Sequence, residues 1–180
     1  MAIVFVVEDG TGKSDSTSYV SVSEADDISD LNIYTAAAWD ALSNASKENL
    51  LMYCTKSLDA RTKWKGEKTN ILQALEWPRK EVTDKYGNTV SDNSVPFNLR
   101  MAVVEFAKWN ATADKISNET PSSVTQEIKV DSITVKFADA SKIATAQFEL
   151  PDFILDLLKG YGTTRKGGTG PTFGRVVRTA

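Results

Sequence analysis

A chain of 180 residues with 41% hydrophobic side chains is enough to close one modest core without disulfides or metals. Its net charge of −3 gives no general attraction toward a polyanion, and its single cysteine, Cys54, excludes an intramolecular disulfide. The absence of histidine removes the commonest general base and the commonest transition-metal ligand, so whole classes of enzyme drop out and no cofactor is expected.

The opening Met-Ala-Ile-Val-Phe-Val-Val lacks the basic region and cleavage site of a secretory signal, and the cytosol is the expected compartment. No apolar run approaches the roughly 18 to 20 residues that span a bilayer, so no membrane partner is expected. Residues 3–7 form a β-prone run, and the Gly10-Thr11-Gly12-Lys13-Ser14 stretch after it reads as a polar loop. Together, residues 1–22 are expected to be an N-terminal arm or edge strand with its loop. Ser23, followed by Glu24 and Asp26, predicts a capped helix over 23–31, and a shorter turn at 36–42 carries Trp39.

From Ser46 the pattern is plainly helical. Leu50, Leu51, Cys54 and Leu58 form one apolar stripe, which predicts a long helix over 46–64. Periodicity fails between Glu67 and Val95, where Trp77-Pro78, Tyr86-Gly87-Asn88 and Val95-Pro96 mark a loop with room for a small hairpin. Pro96 suits the first position of a second long helix, reaching Ala113, with Leu99, Ala102, Val103, Phe106, Ala107 and Asn110 on one side. Period-two alternation over 124–137 predicts a β-hairpin or one bent ribbon. A last helix starts near Pro151, buries Phe153, Ile154, Leu157 and Leu158, and stops at Gly160.

Beyond that point the composition changes. Six of the ten glycines fall in the last 21 residues, and five basic but no acidic side chains lie from Lys159 onward, against 16 basic and 24 acidic before it. Residues 160–180 are therefore expected to be a flexible basic arm on an acidic body.

Several motifs invite sharper readings. Gly12-Lys13-Ser14 suggests a phosphate loop, but Val7 stands where that motif requires glycine and no helix pattern follows. Asp26, Asp27 and Asp30 suggest chelation or paired-carboxylate catalysis, yet acids near a helix start are favoured by the helix dipole. Arg61, Lys63, Trp64, Lys65 and Lys68 have the composition of a single-strand-binding groove, although cations also gather at helix C-termini and Trp64 continues the buried stripe. Trp39, Trp64, Trp77 and Trp109 read better as core pieces than as stacking platforms.

Particular residues then suggest a family. They run from Val7-Glu8-Asp9-Gly10-Thr11-Gly12 through Ser18-Tyr19-Val20-Ser21, Glu24-Ala25-Asp26, Trp39, Lys47-Glu48 and Leu58-Asp59 to Trp64, Gly66, Ala74-Leu75 and Trp77-Pro78-Arg79. The same order continues with Val82, Asp84, Gly87, Val90, Pro96 and Glu105, and closes with Gly174-Arg175-Val176-Val177-Arg178. Across nearly the whole chain this resembles the head-to-tail connector or adaptor (head completion) proteins of tailed bacteriophages, some of which bear the label "DnaT-like single-stranded-DNA-binding protein". Ile28 stands where an aromatic is common, and Asp131-Ser132 where a glycine turn is often seen.

The resemblance implies a mainly α fold: a helical adaptor domain over 23–159, forming a bundle with an inserted β-hairpin near 124–137, and extended N- and C-terminal arms. It implies a non-catalytic virion protein, assembled in the host cytoplasm as a homo-oligomeric, dodecameric ring. Its partners are the portal protein, tail or nozzle proteins, and genomic DNA that passes through the channel without specific binding. The portal-binding residues expected on the arm are Arg165, Lys166, Phe173, Arg175, Val176, Val177 and Arg178. Single-stranded-DNA binding is the alternative, and an enzyme using carboxylates alone ranks last because no paired-carboxylate spacing stands out.

Overall fold

The computed structural model describes residues 3–32, 36–113, 127–130, 133–136 and 150–164. Two compact units form, one from Met1–Lys115 with Leu150–Arg165 and one from Ile116–Glu149 with Lys166–Ala180.

In the first unit, helix α1 (Val22–Ser29) opens where the Ser21 hydroxyl accepts from the Glu24 amide, two residues before the expected cap. Helix α2 (Ala36–Asp40) delivers Trp39 to the core. Helix α3 (Asn44–Arg61) is capped by Ser43 and buries Leu51, Cys54, Thr55 and Leu58. It stops at Arg61 rather than running to residue 64. The β-branched and aromatic side chains of Thr62 and Trp64 instead enter strand β1 (Thr62–Trp64), whose partner lies some hundred residues on.

Strands β2 (Glu67–Lys68) and β3 (Arg79–Lys80) pair antiparallel across the loop region. Helix α4 (Phe97–Asn110) follows Pro96, which sits just outside the helix, and Leu99, Ala102, Val103, Val104, Phe106 and Ala107 are fully buried. A helix apolar around most of its circumference belongs at a centre, and α1, α2, α3 and the last helix, α5 (Asp152–Leu158), all pack on α4. Helix α5 buries Ile154 and Leu158 but leaves Phe153 exposed. At Gly160, with φ of +97°, an added Cβ would lie 2.5 Å from the Lys85 amide nitrogen, so only glycine fits. Strand β6 (Gly162–Thr164) then pairs with β1, Thr62 opposite Thr164 and Trp64 opposite Gly162.

The expected mainly α bundle is corrected here. Helices make up fewer than half of the described residues, and the sheets are three separate two-stranded pairs. Much of the core comes from irregular chain: Tyr19, Val20, Leu75, Trp77, Val82, Val95 and Tyr161 are all buried. The segment around residues 3–20 is not an extended arm either, because Val7 bridges Ser18 and the chain enters the core at Tyr19 and Val20. The reason is compositional. A stretch as polar and as broken by Gly and Pro as 66–96 cannot sustain a helix, so its aromatics reach the core from turns.

In the second unit, β4 (Glu127–Val130) pairs antiparallel with β5 (Ile133–Lys136), Val130 opposite Ile133, as a hairpin within the span expected.

Leu51 has no exposed surface. Leu51→Ala should cost roughly 2 to 5 kcal/mol through lost transfer energy and the cavity left behind. The urea midpoint reads it, and an unchanged midpoint would place the buried face of α3 elsewhere.

Candidate functional site

The phosphate-loop suggestion has a structural answer. Loop 8–16 does enclose an anion, but the anion is its own Glu8. The Glu8 Oε1 accepts from the Gly10 and Gly12 amides, both at 2.9 Å, and Oε2 accepts from the Lys13 amide at 2.9 Å and the Ser16 hydroxyl at 3.0 Å. Lys13 turns back to Asp9 at 2.9 Å and to the Val7 carbonyl at 3.0 Å. A nest already filled by a buried carboxylate has no vacancy for a phosphate.

The acidic group is likewise structural in part. Asp26 accepts from the Trp39 indole at 2.7 Å and from Lys47 Nζ at 2.8 Å, and Lys47 lies 5.2 Å from the Trp39 ring centre. Asp27 and Asp30 face solvent. Among the described residues, no three Cys, Asp or Glu side chains gather as metal ligands.

Trp64 is only 7% exposed, so it is no stacking platform. Its ring meets Trp77 edge-on at 5.9 Å, and Trp77 meets Tyr161 the same way at 5.8 Å. Trp109 stacks on Phe106 at 6.2 Å. Beneath this aromatic row lies Asp59, which accepts from the Tyr19 hydroxyl at 2.7 and 2.8 Å, the Trp64 indole at 3.1 Å and the Glu76 amide at 3.2 Å. Burial pushes its carboxyl up to about 7, against the pull of those hydrogen bonds. The Tyr19 hydroxyl in turn accepts from the Trp77 amide. A groove of about 930 Å³ opens beside Asp59, walled by Met52, Tyr53, Lys56, Leu75 and Glu76.

Arg79 fastens the next layer. Its Nε donates to the Lys65 carbonyl and its Nη2 to the Gly66 carbonyl, both at 2.7 Å, while Nη1 reaches the Glu76 carboxylate at 2.8 Å. Gly66, at φ of +65°, lets this turn press on β3, since a Cβ there would fall 2.1 Å from the Lys80 carbonyl oxygen.

The result is a surface where several cationic segments are held side by side. Lys63 projects from β1, Lys65 follows it, Lys80 ends β3 and Lys85 lies against Gly160, and all four are exposed. The Lys65 amide donates to the Tyr161 carbonyl, which joins this turn to the segment that packs on Lys85. Acids share the region: Glu67 pairs with Lys80 at 3.6 Å, and Lys68 pairs with Glu76 at 3.1 Å. Beside Lys85 stands Tyr86, 78% exposed. In the sequence, Tyr86-Gly87-Asn88 signals only a turn, and nothing local marks the ring as exposed. The arm residues Arg165, Lys166, Phe173, Arg175, Val176, Val177 and Arg178 lie outside the described residues.

Residues 3–179 match the protein family described as "Putative DnaT-like ssDNA binding protein". The chain belongs to this family. No curated protein and no solved structure gives a significant match. Most of the residues that carried the sequence resemblance serve the interior: Glu8 in its nest, Asp26 with Trp39 and Lys47, Asp59 under Tyr19 and Trp64, Arg79 stapling the turn at Gly66. In this member of the family, such residues hold the fold together.

Proposed function

We propose that this chain is a non-catalytic binding protein for single-stranded DNA, and that Lys63, Lys65, Lys80 and Lys85 meet the phosphates. The observation that carries the reading is the family match across residues 3–179. The lysine surface supports it with chemistry of the right kind, since exposed ammonium groups on neighbouring segments can follow a sugar–phosphate backbone. The surrounding charge limits the strength. The described residues of the larger unit carry 13 basic and 18 acidic side chains, so attraction is local and readily screened. A filter-binding titration of a thymidine homopolymer over a range of salt tests this. Saturable binding that weakens steeply with salt is expected, because bound lysines release counterions. Absence of saturable binding even at low salt overturns the reading.

A second reading is favoured by one observation, the burial of Trp39, Trp64 and Trp77, which denies a single strand its strongest stacking partners. On that reading the protein is a head-to-tail adaptor of a tailed-phage virion, forming a ring under the portal and joining head to tail. DNA then passes its acidic body without specific binding. Mass measurement of the protein alone and mixed with portal separates the two, with residues 165–180 deleted in a parallel sample. A ring, or a portal complex that the deletion abolishes, selects the adaptor.

A further inference from the structure

We propose that the loop at residues 84–88 is a base-stacking finger, with the Tyr86 ring taking one base of a single strand and Lys85 an adjoining phosphate. This rests on the single-strand reading above. Tyr86 is the most exposed aromatic among the described residues, and its ring contributes little to the core. Such exposure on a mobile tip would mean little, but this tip is built. The Asp84 carboxylate accepts from the Tyr86 amide at 2.8 Å, the Asn88 amide at 2.9 Å and the Asn88 side-chain amide at 3.0 Å. The Asp84 amide donates to the Asn88 carbonyl, the Gly87 amide donates back to the Asp84 carbonyl, and Thr83 bridges Thr89 below. Hydrogen bonding to these amides, Asn88 first, holds the Asp84 carboxyl below its usual value, so its charge is spent inside the loop.

The finger also stands in the right place. Lys85 Nζ lies 5.1 Å from the Tyr86 ring centre, and the Lys85 backbone is packed against Gly160, next to the segment that binds the Lys65 turn. At Gly87, the next residue, a Cβ would meet nothing within 4 Å, so the tip of the loop is unobstructed at that position. An exposed aromatic ring on an ordered loop, with a cation beside it, is the combination that binds single strands with little regard to sequence, because every base offers a π-face and a pre-ordered backbone loses little entropy on binding.

The test uses the full-length protein, a thymidine homopolymer carrying one fluorescent base analogue, and thermal melting alongside. Tyr86→Ala should melt like the wild type, bind about five- to a hundred-fold more weakly, and lose the quenching of the analogue. Tyr86→Phe keeps the ring and should bind within about two-fold of wild type. If wild type binds and Tyr86→Ala binds equally well, the finger is overturned and the single-strand reading stands. Should Tyr86→Phe prove as weak as Tyr86→Ala, the hydroxyl and not the ring makes the contact, and stacking is overturned. No binding by wild type removes the finger together with the reading beneath it.

Discussion

Trp77→Ala should destabilise the fold by roughly 3 to 5 kcal/mol, the range for emptying a buried aromatic site. Trp77 has no exposed surface and stands edge-on between Trp64 and Tyr161, so the truncation removes both ring contacts at once. It also loosens the neighbourhood of the Trp77 amide, which donates to the Tyr19 hydroxyl. Urea unfolding followed by near-ultraviolet circular dichroism reads both effects. Trp77→Phe is the informative companion. The Trp77 indole nitrogen finds no hydrogen-bond partner among the described residues, so phenylalanine gives up volume without stranding an acceptor and should cost well under the alanine figure, about 1 to 2 kcal/mol. Equal losses for the two variants would mean that the indole N–H is bonded after all.

Stability should fall as pH rises from about 4 to about 7, and Asp59 should be the cause. Burial, with the nearby Glu76 charge, raises the folded-state pKa of Asp59 from 3.8 to about 7, although Tyr19, Trp64 and the Glu76 amide all donate to it. Below the unfolded-chain value both states hold the proton and the full stability is present. Between the two values the unfolded chain releases the proton while the folded protein retains it. The contribution is therefore lost progressively and is gone above the folded value, a change on the order of 2 to 4 kcal/mol. Asp9 and Asp84 work in the opposite sense, since hydrogen bonds hold their carboxyls below the usual range, but they titrate on the acid side of this window. With no histidine in the chain, few other side chains change charge in the upper part of this window, from about pH 5.5 to 7. Asp59→Asn should flatten the profile of urea midpoint against pH between 5 and 8. A wild-type midpoint that rises over the same window would show that the carboxylate is ionised in the fold.

The parts of this fold legible in the sequence are those set by local periodicity. Leu51, Cys54 and Leu58 on α3, and Leu99 to Ala107 on α4, declare their buried faces through spacing alone. The alternation near residues 127–136 marks a hairpin in the same way. What was not legible depends on partners distant in sequence. Thr62–Trp64 continues a helical pattern until the edge supplied by Gly162–Thr164 makes a strand of it. Phe153 lies on the expected stripe of α5, but among the described residues it is left about half exposed. Ser21 and Ser23 have equal capping chemistry, and only the chain's entry from Tyr19 and Val20 selects the first.

The site divides along the same line. Composition alone shows that Arg61, Lys63, Trp64, Lys65 and Lys68 mix cations with an aromatic, but β1 sends Lys63 outward and Trp64 inward, and that alternation separates the two. The exposed aromatic that stands beside Lys85 is Tyr86, and the backbone just before it, at Asp84 and Lys85, packs on Gly160, a contact no nearby motif announces. Glycines at 10 and 12 resemble ligand-binding glycines because they do bind a carboxylate, that of Glu8.

The central claim, that the surface lysines meet the phosphates of a single strand, is tested most directly by one comparison. Affinity for a thymidine homopolymer is measured against salt for wild type and for the quadruple variant Lys63→Gln, Lys65→Gln, Lys80→Gln, Lys85→Gln. All four side chains are exposed, so the variant should fold and melt like the wild type. Its log–log salt slope should be shallower by about 2 to 3, since each phosphate neutralised on a single strand contributes about 0.7. Identical slopes and affinities in the two proteins would contradict the account and place any DNA contact on another face.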